Sequence, residues 1–156
     1  MDALGINELF RSEGRTLGCV ESFTGGLFAS EMVSVSGASH FFKGGIVTYM
    51  TEEKVRLLGI PYELVDKYGV VSQEVAGLMA SLGQNRLAVD YCIAFTGNAG
   101  PNAMEGKPVG EIYIAVCAYQ YVEVMKLNLE GDRNEIRKKA IEQGCAFLEM
   151  MIKKYK

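Results

Sequence analysis

Apolar residues along this chain switch repeatedly between helical spacing and short continuous runs, and the switches mark where the chain turns. Ile6, Leu9 and Phe10 fall at helical spacing and stop at Ser12-Glu13-Gly14. A run through Leu17, Cys19 and Val20 predicts a strand at about 16–21. It passes through Glu21-Ser22-Phe23-Thr24-Gly25-Gly26 into a helical pattern (Leu27, Phe28, Ala29, Met32, Val33) that closes in the small-residue loop of residues 34–39. The next strand is expected at about 42–49, with Gly44 and Gly45 signalling a bulge or a close neighbour. Thr51 reads as the N-cap of a short helix reaching Leu58, and a second short helix fits 61–67.

Ser72 caps a longer helix with Val75, Met79, Leu82 and Leu87 near one face. Residues 90–95 form a buried strand that runs into Thr96-Gly97-Asn98-Ala99-Gly100-Pro101, a turn rich in residues that accept unusual backbone angles. Strands at about 109–118 and 122–129, joined near Tyr119-Gln120-Tyr121, make an antiparallel hairpin. Asp132 then caps a long helix with Glu135 in capping-box position and a stripe of Ile136, Ala140, Phe147, Met151 and Tyr155. This order predicts an α/β fold, a single three-layer domain over residues 1–156 with a mixed sheet of about five strands flanked by helices.

Composition narrows the partners. With 49% hydrophobic and 22% charged residues the chain has material for a sizeable core. No apolar run approaches the roughly 20 residues of a membrane span, and the opening residues lack a signal-peptide layout. A cytoplasmic protein without a membrane partner is expected. Cys19, Cys92, Cys117 and Cys145 stand far apart among apolar residues, which suggests buried free thiols. A net charge of −3 argues against a broad grip on nucleic acid and leaves room for a local pocket that takes a small anion.

The stretch from Glu21 to Gly26 carries the candidate chemistry. Free N–H groups at a helix start favour a negative guest, so this turn fits either a phosphate cradle or a serine nucleophile beside an oxyanion site. Taken singly, Ser22 reads as a plain N-cap, Lys54 as a solvated charge, Tyr49 as a half-buried packing residue, Thr96 as a turn residue and Arg133 as an exposed first-turn residue. Arg137-Lys138-Lys139 reads as a solvated helix face.

Together the motifs say more. Val20-Glu21-Ser22-Phe23-Thr24-Gly25-Gly26, Gly44-Gly45-Ile46-Val47-Thr48-Tyr49 with Lys54 and Leu57-Leu58-Gly59-Ile60, Val71-Ser72, Thr96 to Pro101, and Lys107-Pro108-Val109-Gly110 resemble, in that order, the CinA C-terminal domain family. That family includes competence-damage-inducible proteins and stand-alone nicotinamide-nucleotide amidases. The latter hydrolyse the carboxamide of nicotinamide mononucleotide to nicotinic acid mononucleotide and ammonia. The length corresponds to the stand-alone form.

The resemblance implies a catalytic dyad of Ser22 and Lys54, with Tyr49 and Thr96 positioning Lys54 and the substrate. It implies substrate binding by Thr24, Gly25, Gly26, Gly45, Gly97 and Arg133. It further implies a small-molecule nucleotide substrate, no cofactor, no metal and a homodimer. Amide hydrolysis needs a nucleophile, an oxyanion site and an acid for the leaving nitrogen. The N–H groups around Thr24, Gly25 and Gly26 are the expected oxyanion donors. The lone histidine, His40, lies in a loop unpromising for a triad, so a lysine base is favoured. A lysine neutral near pH 7 must drop from about 10.4 to roughly 7–8, a difference of ~4 kcal/mol that burial or a cation such as Arg133 must supply.

Phe23 departs from the small residue that many relatives carry after the serine. It either points into the core or narrows the site. Residues 102–106 are expected to form a mobile rim. The competing reading is a non-catalytic nucleotide-binding or protein-recruiting domain that uses the same anion pocket.

Overall fold

The computed structural model describes residues 1–156. Asp2 accepts a hydrogen bond from the Gly5 N–H and opens α1 (Ala3–Glu13), which Gly14 closes in the left-handed region. There follow β1 (Leu17–Glu21), α2 (Leu27–Val33), a single 3-10 turn (Ala38–His40), β2 (Phe42–Val47), α3 (Thr51–Arg56), α4 (Tyr62–Tyr68) and α5 (Gln73–Leu87). The chain ends with β3 (Tyr91–Gly97), β4 (Glu111–Ala118), β5 (Tyr121–Asn128) and α6 (Arg133–Tyr155).

The strands form one sheet in the order β2-β1-β3-β4-β5. β1 pairs in parallel with β2 and β3, whereas β3, β4 and β5 pair antiparallel. This is the expected mixed five-stranded α/β domain. Every residue of β1 and β4 is buried, because helices cover both faces of the sheet and leave no polar side to alternate with. Phe10, Phe28, Phe41, Phe95, Ile136 and Met151 belong to the core shared with α1, α2 and α6. Val65, Val75, Met79, Cys92 and Ala94 belong to the core on the α4 and α5 side. α6 starts on a complete capping box between Asp132 and Glu135.

Boundaries differ from the sequence reading for local reasons. β2 ends at Val47 rather than Tyr49, because the Thr48 N–H still bonds to Glu21 O at 2.8 Å while the Thr48 carbonyl turns to Lys54. Its irregularity lies at Lys43, since Leu17 faces Phe42 while Gly18 already faces Gly44. Thr51 is the first residue of α3 and not its cap; Met50 precedes the helix and gives no side-chain bond. Residues 38–40, expected as loop, wind into the 3-10 turn.

Parallel pairing has one consequence for function. The C-terminal ends of β2, β1 and β3 open on the same edge, and the crossovers leaving β1 and β2 run over opposite faces through α2 and α5. Such a switch point leaves a crevice outside the strand ends. Ser22 follows β1, Thr48 follows β2 and Asn98 follows β3, so all three border it.

Candidate active site

Glu21 determines how the turn after β1 is used. Its carboxylate is fully buried and accepts the N–H groups of Gly26 (3.2 Å), Phe28 (3.0 Å) and Ala29 (3.0 Å) at the start of α2. The negative guest at this helix end is therefore the protein's own side chain. Gly25 N–H is also engaged, with Ser22 O at 3.0 Å. The expectation of oxyanion donors at Gly25 and Gly26 is thus corrected: both are consumed inside the turn. The unpaired backbone donors are the N–H groups of Ser22, Phe23 and Thr24.

Ser22 lies beside the buried Lys54, which is 1% exposed. Lys54 Nζ is 2.9 Å from Ser22 Oγ and donates to Thr48 O at 2.7 Å. The turn between β2 and α3 brings it there, with α3 aiming Lys54 inward while Glu52 and Glu53 occupy its first turn. Burial pulls the Lys54 ammonium from 10.5 down to about 8, and the Glu105 carboxylate opposes that shift. Desolvation, and not Arg133, supplies the lowering anticipated for a lysine base.

A cavity of about 190 Å³ opens at this point, bordered by Ser22, Phe23, Tyr49, Gly97, Asn98, Ala99, Met104 and Arg133. Arg133 bridges its mouth, donating to Gly100 O at 2.6 Å and to the Tyr49 hydroxyl at 2.9 Å. Tyr49 is 58% exposed, and its hydroxyl meets Arg133 rather than Lys54. The Thr96 hydroxyl donates to Val70 O at 2.7 Å and not to either member of the pair. Phe23 is buried in the core on the α2 and α6 side and also borders the cavity, so both placements considered for it hold. Gly97 lies at the cavity; a Cβ there would fall 2.8 Å from Glu111 O. Gly45 serves packing instead: a Cβ there would fall 2.5 Å from Cys19 Sγ. His40 is exposed, its ring nitrogen 3.1 Å from Gly37 O in its own turn. All four cysteines are free and buried.

Three contributors escaped the sequence reading. Glu21 precedes the serine in an apolar run, and only the fold turns its carboxylate onto α2. Thr48 acts through its carbonyl, which no side-chain pattern reports. Arg137 reads from the sequence as part of a solvated face, but its guanidinium donates to Phe23 O (3.0 Å) and Thr24 O (2.9 Å), clamping the turn after β1 from α6. A helical offset of four residues from Arg133 is the one signal that could have drawn attention to it. Within residues 102–106, Glu105 accepts the N–H groups of Val70 and Val71, each at 3.0 Å.

The chain is similar to known proteins in both sequence and fold. The model of the CinA C-terminal domain family matches residues 3–152. A Streptococcus pneumoniae relative with the provisional name competence-damage inducible protein is 42% identical over 137 residues, covering 87% of this chain and 33% of the relative. The chain therefore spans about a third of the length of the curated relatives it matches. Among solved structures, competence damage-inducible protein A (ComA) from Klebsiella pneumoniae superposes with a TM-score of 0.97 at 25% identity, covering 99% of this chain and 96% of that one. The competence/damage inducible protein CihA from Agrobacterium tumefaciens gives 0.89 at 32% identity, covering 96% and 91%.

Proposed function

The chain belongs to the CinA C-terminal domain family, and from that premise we propose that it is a serine amidohydrolase acting on nicotinamide mononucleotide. The observation that carries the reading is the 2.9 Å contact between Ser22 Oγ and a buried lysine whose proton is lost near pH 8. Neutral Lys54 takes the Ser22 proton as the oxygen attacks the carboxamide carbon. The developing oxyanion meets backbone N–H groups left unpaired in the residue 22–24 turn. Lys54 ammonium then gives its proton to the departing nitrogen, ammonia leaves, and an acyl-Ser22 ester remains. Water attacks that ester with Lys54 again as base, releasing nicotinic acid mononucleotide and restoring the serine.

Size supports a divided substrate. The cavity of about 190 Å³ is below the roughly 300–1,000 Å³ of sites that enclose a drug-sized ligand. The pyridine ring enters, and the ribose phosphate stays at the mouth beside the Arg133 guanidinium. Filling of the α2 start by Glu21 disfavours the alternative of a simple phosphate cradle there.

The test is ammonia release from nicotinamide mononucleotide by the purified protein. Ser22→Ala is expected to fold normally and lose on the order of a thousandfold or more of turnover, while chelators leave the native rate unchanged. No ammonia from the native protein across pH 6–10, or undiminished release by Ser22→Ala, contradicts the proposal.

A further inference from the structure

The loop between β3 and β4 carries a device that the amide chemistry does not use. Met104 and Lys107 pair through N–H to O bonds of 3.2 and 2.8 Å, closing a two-residue hairpin on Glu105 and Gly106. Both turn residues have positive φ, 55° for Glu105 and 71° for Gly106. That is the requirement of a mirror-image hairpin turn, whose first position ordinarily holds Asn, Asp or Gly. A glutamate held there is strained, and strain of this kind persists only where surrounding structure fixes it.

The fixing contacts belong to the Glu105 side chain. Its two oxygens accept the consecutive N–H groups of Val70 and Val71, each at 3.0 Å, in the connector between α4 and α5. Gly69 leaves the room, since a Cβ there would lie 2.5 Å from Glu105 Oε1. Lys107 adds bonds to Tyr68 O at 3.3 Å and to Val71 O. Val70 O accepts the Thr96 hydroxyl, which ties the same connector to the end of β3. The hairpin is thus plugged into the connector, and Met104 at its base borders the Ser22 cavity.

We propose that Glu105 is a positioning residue for the cavity beside Ser22, pinning its hairpin to the Val70–Val71 connector and so seating Met104 as a wall of that cavity. The inference deepens the hydrolase reading and rests on it for any effect on turnover. The charged surroundings single out this carboxylate. Lys107 lies 4.0 Å from Glu105 Oε1, and Asp66 and Lys67 of α4 border the same outer cleft. Ser22 and Thr48 O face Lys54 directly, and Arg133 and Tyr49 stand at the cavity mouth. Glu105 is the charged group whose field acts on Lys54, favouring its ammonium form against burial.

The test compares native protein with Glu105→Gln, Glu105→Asp and Met104→Ala, using 13C signals of labelled lysine and methionine side chains together with kcat and KM. The Lys54 signal is assigned by its loss in Lys54→Met. In Glu105→Gln the Lys54 titration midpoint moves toward acid, the Met104 methyl signal moves toward its unfolded position, and KM rises several-fold. Glu105→Asp keeps the charge but withdraws it from the two N–H groups, so the Met104 signal moves there as well, and Met104→Ala raises KM without moving the Lys54 midpoint. An unmoved Met104 signal or an unchanged KM in Glu105→Gln overturns the proposal. Should Glu105→Gln fail to fold, an unchanged KM in Met104→Ala does the same. If both signals respond and no amide is hydrolysed, the hydrolase reading falls and the role of Glu105 stands.

Discussion

Lys54 is an ammonium in water and has almost no water around it in the fold, and this conflict has a measurable signature. Its proton is held less tightly in the folded state, at about 8 against 10.5. Between those values the unfolded chain binds a proton that the folded chain has lost, so stability rises with pH across that window. Below about pH 8 the whole cost of burying the lysine is present; above about 10.5 it has gone. A difference of that size corresponds to about 3 kcal/mol as an upper bound. Lys54→Met removes the titrating group. Its unfolding free energy relative to native protein, from urea titrations between pH 7.5 and 10, is expected to fall steadily as pH rises. A gap that stays constant over that range means Lys54 titrates normally. Lost bonds to Ser22 and Thr48 add a pH-independent offset and leave the slope unaffected.

Among the elements, β1, its turn and α2 form the unit on which Ser22 depends. Glu21 joins them by accepting three N–H groups, and Arg137 clamps the turn from α6. Glu21→Gln keeps the shape but replaces one acceptor oxygen with an NH2 group that cannot accept from Ala29. A buried donor is left unpaired, at a cost of about 1–3 kcal/mol in denaturant unfolding. A change below about 0.5 kcal/mol, the ordinary noise of surface substitutions, contradicts this account of the turn. The sequence made β1, α2 and the long α6 legible because apolar period, capping chemistry and turn residues all agreed there. Ser22 and Lys54 became legible through motif order; nothing in the residues between them reports that a short helix aims the lysine inward. Glu21 and Arg137 stayed hidden because each acts on backbone atoms that only the folded chain brings near. The oxyanion donors were misplaced for the same reason: free N–H groups at a helix start are free only until a side chain reaches them.

At the scale of the molecule, the sheet sets the site by bringing the ends of three parallel strands to one edge, while α5 presses closely on the opposite face from α2. At Gly83 of α5 a Cβ would fall 2.3 Å from Val20 Cγ2 and 3.0 Å from Cys92 Sγ, so the helix has no room for a larger residue. Gly83→Ala is expected to lower stability by about 1–3 kcal/mol through overpacking, read as a shift in the urea midpoint; an unchanged midpoint means that α5 can move away freely. No helix of the molecule is long and apolar enough to cross a membrane. The central claim joins these scales: a sheet edge holds a serine against a lysine whose proton affinity burial lowers to about 8. Its most direct test is kcat/KM for ammonia release from nicotinamide mononucleotide as a function of pH, for native protein and Ser22→Ala. The account predicts a rise through a midpoint near 8 in the native protein and no measurable rate in the variant. A native profile flat from pH 6 to about 9.5, or a variant that retains the rate, contradicts it.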